Sequence, residues 1–179
     1  DSDYYIRRYL NYFQGQNYIK EAYQKLAWHA WTIEQDSIEY SRNMAYCLIK
    51  GNDLIDEDKQ AMVLAQQKSI PNRNLLKARL LDDGGYETEA LQLLKKVASD
   101  QRSSLEEIEY LYRRGRIAQG LNNYELAKSS FLQCLEIPFN DLLYFQTAAS
   151  LYLAQIYEEE QLLAKARYYY NACLDLNPK

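Results

Sequence analysis

Three arginines at helical spacing are the residues of this 179-residue chain best equipped for recognition chemistry. Arg113 and Arg116 lie three apart and share a helix face, with Tyr112 one row over. Arg79 takes the place of Arg116 in an earlier segment. Tyr152 and Gln155 take the places of Arg113 and Arg116 in a later one. A guanidinium fork offers paired N–H donors to a carboxylate, so such a row suits an acidic side chain or a C-terminal carboxylate. The candidate ligand-binding set is Arg79, Tyr112, Arg113, Arg116, Tyr152 and Gln155, to which the first hairpin adds Arg7 and Asn11.

Catalytic chemistry finds few residues to work with. His29 is the sole histidine and hence the one side chain with an ordinary neutral-pH titration. It sits in a helical stretch between Trp28 and Trp31, where packing explains it. Asp53, Asp56, Glu57 and Asp58 crowd one segment, but they lack the glycine and terminal glutamate of a calcium loop. They read instead as caps of the next helix. Cys47, Cys134 and Cys173 are too far apart for a CxxC metal site or a disulfide framework, and each reads as a small buried hydrophobe. No GxSxG, HExxH, P-loop or GxGxxG motif occurs. The expectation is a chain without catalytic residues, metal or cofactor, and not an enzyme.

The elements that must position the arginines are helices. Glycine and proline total nine, too few for an all-β chain with a turn every ten residues or so. Apolar residues recur at i, i+3 and i+4 throughout, as in Tyr5, Tyr9, Leu10 and Phe13, or Ala22, Leu26, Ala30 and Ile33. Asp36 with Glu39, and Ser103 with Glu106, read as capping boxes. Gly51-Asn52, Asp82-Asp83-Gly84-Gly85 and Asn122-Asn123 end helices. The pattern predicts ten helices in five hairpins, at about 4–34, 36–69, 71–99, 103–138 and 141–178, with no strand. Short turns make neighbouring helices antiparallel.

A repeat runs through these hairpins. Ala154 is followed by Ala166, Tyr170, Cys173 and Pro178; Gly115, Ala127, Phe131 and Cys134 keep the same steps, and so do Ala78, Ala90, Leu94 and Val97. Small residues let the two helices of a hairpin cross closely, and large ones fill the gap to the next hairpin. Leu111, Leu151 and Tyr157 take the large apolar places of the first helices. The turns Gly85-Tyr86-Glu87 and Asn123-Tyr124-Glu125 precede the second helices. The pattern resembles the tetratricopeptide repeat (TPR) family, and the whole chain looks like a bacterial TPR protein. The resemblance implies one all-α domain over 1–179, a right-handed α-solenoid of about five antiparallel hairpins. It also implies a concave groove lined by the first helix of each hairpin, carrying the arginine row.

Composition narrows the partners. Net charge is −4 with the basic residues dispersed, which argues against nucleic acid. No apolar run reaches the roughly 18 residues of a membrane span. The leading functional reading is a non-catalytic scaffold that binds a peptide or protein segment in the groove. The alternative is a module for glycan or another small molecule using the 18 tyrosines; a third is an accessory domain of an enzyme. The chain lacks an initiator methionine and reads as part of a longer protein, with no compartment assigned. Tyr168, Ala172 and Leu176 on the last helix are expected to stay uncovered up to Pro178 and Lys179, offering a route to self-association.

Overall fold

The computed structural model describes residues 2–97, 102–138 and 144–176. The helices are α1 (Ser2–Tyr12), α2 (Ile19–His29), α3 (Ser37–Ile49), α4 (Asp56–Gln66) and α5 (Arg73–Asp83). They continue with α6 (Glu87–Leu94), α7 (Ser104–Gly120), α8 (Tyr124–Glu136), α9 (Phe145–Glu159) and α10 (Leu163–Leu176). A π-helical turn, Ala30–Glu34, extends α2. Ten α-helices and no strand among the described residues make this an all-α fold of the α-solenoid class, built from packed helical hairpins. The expected hairpin ends at 99, 141 and 178, with Pro178 and Lys179, lie outside the described residues. The chain divides into two compact units, Asp1–Arg73 and Asn74–Lys179.

In the first unit α2 packs against α1, α3 and α4. Ala27, Tyr40, Met44, Cys47 and Ala65 form its core, with Trp28, Trp31, Leu48 and Leu64 against them. The Trp31 indole donates to the Pro71 carbonyl at 2.9 Å, satisfying its one polar group. Asp36 caps α3, accepting from the Ile38 and Glu39 N–H groups at 2.9 Å each. Glu39 does not close the expected box. Its carboxylate turns to Arg42 at 2.6 Å and Asn43 at 3.1 Å.

Two placements differ from the sequence pattern. Ile33 was expected beside Ala22, Leu26 and Ala30 but is 65% exposed, because the wider π turn carries it off that face. Asp58 was expected to cap its own helix. It is fully buried and accepts from the Tyr18 N–H at 2.6 Å and the Glu21 N–H at 3.0 Å, capping α2 from α4. Tyr18 adopts a left-handed backbone (φ 60°), and the first N–H groups of α2 meet the Asp58 carboxylate.

In the second unit α7 packs on α8, α8 on α9, and α9 on α10. Every small residue of the repeat here is buried: Ala78, Ala90, Gly115, Ala127, Ala154 and Ala166. Ser103 and Glu106 form the expected reciprocal cap of α7, and Asn123 caps α8 through the Leu126 N–H. Gln146 at the start of α9 donates to the Cys134 and Ile137 carbonyls at 2.8 Å each, satisfying the open end of α8. Leu151, given an inner place by the pattern, lies at the surface. On α10, Ala166 is buried while Tyr168, Leu174 and Leu176 are exposed; Ala172 is half-buried. Tyr169 stacks on Tyr157 at 5.6 Å, and the Tyr170 hydroxyl donates to Glu158 at 2.6 Å.

Candidate recognition surfaces

The arginine row belongs to α5, α7 and α9, the first helices of successive hairpins. Its central member is not open. Arg113 is 2% exposed, and its Nη1 donates to Asp82 at 3.1 Å and Asp83 at 2.9 Å at the end of α5. Burial alone would lower the Arg113 pKa, but Glu109, Asp83 and the hydroxyls of Tyr112 and Tyr144 outweigh it and raise it. Burial raises the pKa of Asp82, against the pull of Arg113 and Arg116. Arg113 is thus paired within the chain rather than left open or only partly paired, as a row aimed at a carboxylate would need. Asp82 and Asp83 were legible as a helix stop, but the fold, across some thirty residues, makes them the counter-charge of α7.

The remaining members differ in how they are held. Arg79 lies 3.7 Å from Glu109 and 3.9 Å from Asp83, loosely engaged by both. Arg116 donates to the Tyr152 hydroxyl at 2.8 Å and lies 5.0 Å above the Tyr152 ring. Burial would lower the Arg116 pKa; Tyr112, Tyr152 and Asp82 raise it on balance. Its hydrogen-bond partners Tyr152 and Tyr112 are neutral hydroxyls, and it makes no direct ion pair among the described residues. Tyr112 is buried between Phe145 (5.3 Å) and Tyr144 (6.3 Å) and packs as core. Tyr152 stacks on Phe131 at 5.9 Å, which fixes the hydroxyl that Arg116 meets. Gln155 is half-buried on α9.

The first unit holds a second surface. Arg7, Leu10 and Asn11 of α1, Tyr23 and Leu26 of α2, and a row on α3 enclose an open groove of about 480 Å³. The α3 row includes Arg42 and Tyr46, four residues apart, and Lys50 follows just past the helix end on extended backbone. Glu39 lies among them, 2.6 Å from Arg42 and 3.6 Å from Arg7. Arg7 and Arg42 thus both meet Glu39, Arg7 also lies 3.3 Å from Asp3, and Lys50 adds a third cation to the wall. Asn43 is buried and donates to the Glu39 carbonyl at 2.9 Å, so it braces the wall. The sequence reading found Arg7 and Asn11 but passed over α3, because 36–69 departs from the repeat. The signal it missed is the four-residue spacing of Arg42, Tyr46 and Lys50.

The acidic residues in the first turn of α4 are put to structural use. Asp56 pairs with Lys59 at 2.9 Å, and Asp58 caps α2. Cys47 and Cys134 are buried, and burial pushes the Cys47 thiol up to about 12, with Lys20 opposing.

Comparison with known proteins agrees with this architecture. The family model described as Tetratricopeptide repeat matches residues 108–141 and 149–179, the stretches that hold α7 with α8 and α9 with α10. No curated protein and no solved structure matches the chain. No helix among the described residues is long and apolar enough to cross a membrane. TPR hairpins are in general protein–protein interaction modules, and typically non-catalytic ones. With the paired small residues buried at their crossings and the family's own model matching both, the two C-terminal hairpins are tetratricopeptide-repeat hairpins.

Proposed function

We propose that this chain is a non-catalytic scaffold that binds an acidic peptide or protein segment along the first helices of its hairpins. The observation that carries the reading is the cationic lining of the α1–α3 groove, where Arg7, Arg42 and Lys50 outnumber the one lining carboxylate, Glu39, even with Asp3 lying 3.3 Å from Arg7. Asn11 and Tyr46 add hydrogen-bonding groups for a peptide backbone. In the second unit Arg116, Tyr152, Arg79 and Gln155 remain the residues for ligand contact, with Tyr112 and Arg113 holding them in place.

The test is fluorescence anisotropy with a labelled peptide rich in Asp and Glu, against its Gln-substituted counterpart. Binding should favour the acidic peptide and weaken as salt rises. Arg42→Ala and Lys50→Ala should each weaken it by about tenfold, one charge-assisted contact being worth roughly 1.5–3 kcal/mol. Equal binding of both peptides, or no loss in either variant, would end the reading.

One observation favours the glycan alternative. Tyr5, Tyr9, Tyr12 and Phe13 of the first hairpin surround a shallow hollow with Arg8, and Tyr9 and Phe13 stack at 4.7 Å. Exposed ring faces suit sugar rings as well as peptide side chains. A glycan array would separate the two, with loss of signal in Tyr12→Ala supporting this reading. The uncovered face of α10 supports self-association, which sedimentation velocity would read.

A further inference from the structure

The π-helical turn after α2 brings together three side chains that the peptide-binding reading leaves unused. His29 and Glu34 are five residues apart, which on an α-helix sets them about 140° from each other. The i→i+5 closure over Ala30–Glu34 places them on one side, with His29 Nδ1 3.8 Å from Glu34 Oε1. Asp3 of α1 reaches the same point, and one donor atom from each residue lies within 4.8 Å of the others. Arg7 Nε lies 3.3 Å from Asp3 Oδ2 and steadies that carboxylate. Glu34 has no other ion-pair partner among the described residues. The turn costs the fold an apolar contact, since it leaves Ile33 exposed. Such turns are frequent at functional sites.

We propose that Asp3, His29 and Glu34 form a binding site for a divalent ion of the zinc class. One imidazole nitrogen and two carboxylate oxygens are ligands that such ions accept. Donor atoms at this spacing need to close by only about 1 Å to meet bond lengths of about 2.0–2.2 Å. Three protein ligands leave a fourth position open to water. The site was not legible in the sequence, because Asp3 lies 26 residues upstream of His29 and α1 must fold onto α2 to deliver it.

The experiment is calorimetric titration of the tag-free full chain with zinc chloride. Cobalt(II) serves as the spectroscopic probe, since its visible absorption reports low-coordinate nitrogen and oxygen ligation. The expected result is one ion per chain, with binding weakened at least tenfold in His29→Ala and in Glu34→Gln. Both positions are at least partly exposed, so far-UV circular dichroism should be unchanged. If His29→Ala does not fold, Glu34→Gln alone decides. No stoichiometric binding overturns the proposal. So does binding that both variants retain, which would place the ion elsewhere, for instance at Cys173.

Discussion

The ring of Phe131 on α8 lies directly over Gly115 on α7. A Cβ built at 115 would meet Cδ1 at 2.6 Å and Cζ at 2.8 Å. Both residues are buried, so the ring has no free side to move into. Gly115→Ala should therefore destabilise the chain by about 1–3 kcal/mol, against the usual gain from alanine in a helix. Chemical denaturation checks it, and Phe131→Leu added to Gly115→Ala should recover part of the loss. Ala166→Leu, at the matching crossing of the last hairpin, should cost a similar amount.

Asp58 is a cap supplied from another helix. Asp58→Ala removes the acceptor from two N–H groups of the α2 terminus, Tyr18 and Glu21, and should cost about 1–3 kcal/mol. Thermal melting would show it. Asp56→Ala, at an exposed residue of the same helix, should change the melting temperature little.

Arg113 and Asp82 predict a pH dependence. Arg113→Met leaves Asp82 buried without its hydrogen-bonded guanidinium, with only the more distant pull of Arg116, and should cost about 3–5 kcal/mol at neutral pH. The folded-state pKa of Asp82 is raised by burial, so the stability this group contributes is present at acid pH and lost as pH rises through that pKa. Without Arg113 the pKa should rise further. The gap between variant and wild type should then narrow as pH falls from 7 towards 5, measured by urea denaturation at each pH. A constant gap would show that Asp82 does not titrate in this range.

Thiol reactivity should separate the three cysteines. Cys47 and Cys134 are buried and Cys173 is half-exposed. Burial raises the Cys173 pKa as well, so labelling should be slow even there. Native protein should label first at Cys173, and all three should react in guanidinium chloride. Mass spectrometry after alkylation reads the order.

Arg116 tests the second unit. Arg116→Ala should weaken binding of an acidic peptide, and Tyr152→Phe, which removes a contact hydroxyl but keeps the guanidinium, should weaken it less. Anisotropy at two salt concentrations measures both.

Helix positions and the caps of α7 and α8 were written in the sequence because they depend on local spacing. Ser103 with Glu106, Asn123, and the run of Ala78, Ala90, Gly115, Ala127, Ala154 and Ala166 each act within one helix or one hairpin. What only the tertiary structure decided is which charges meet. Asp82 and Asp83 find Arg113, Asp58 finds the start of α2, and Asp3 finds His29 and Glu34. Each pairing joins different helices, and a charged side chain has no periodicity of its own to announce its partner. The π turn shows the same limit: one extra residue in a helical ring rotates Ile33 out and Glu34 in, and apolar periodicity alone cannot register it.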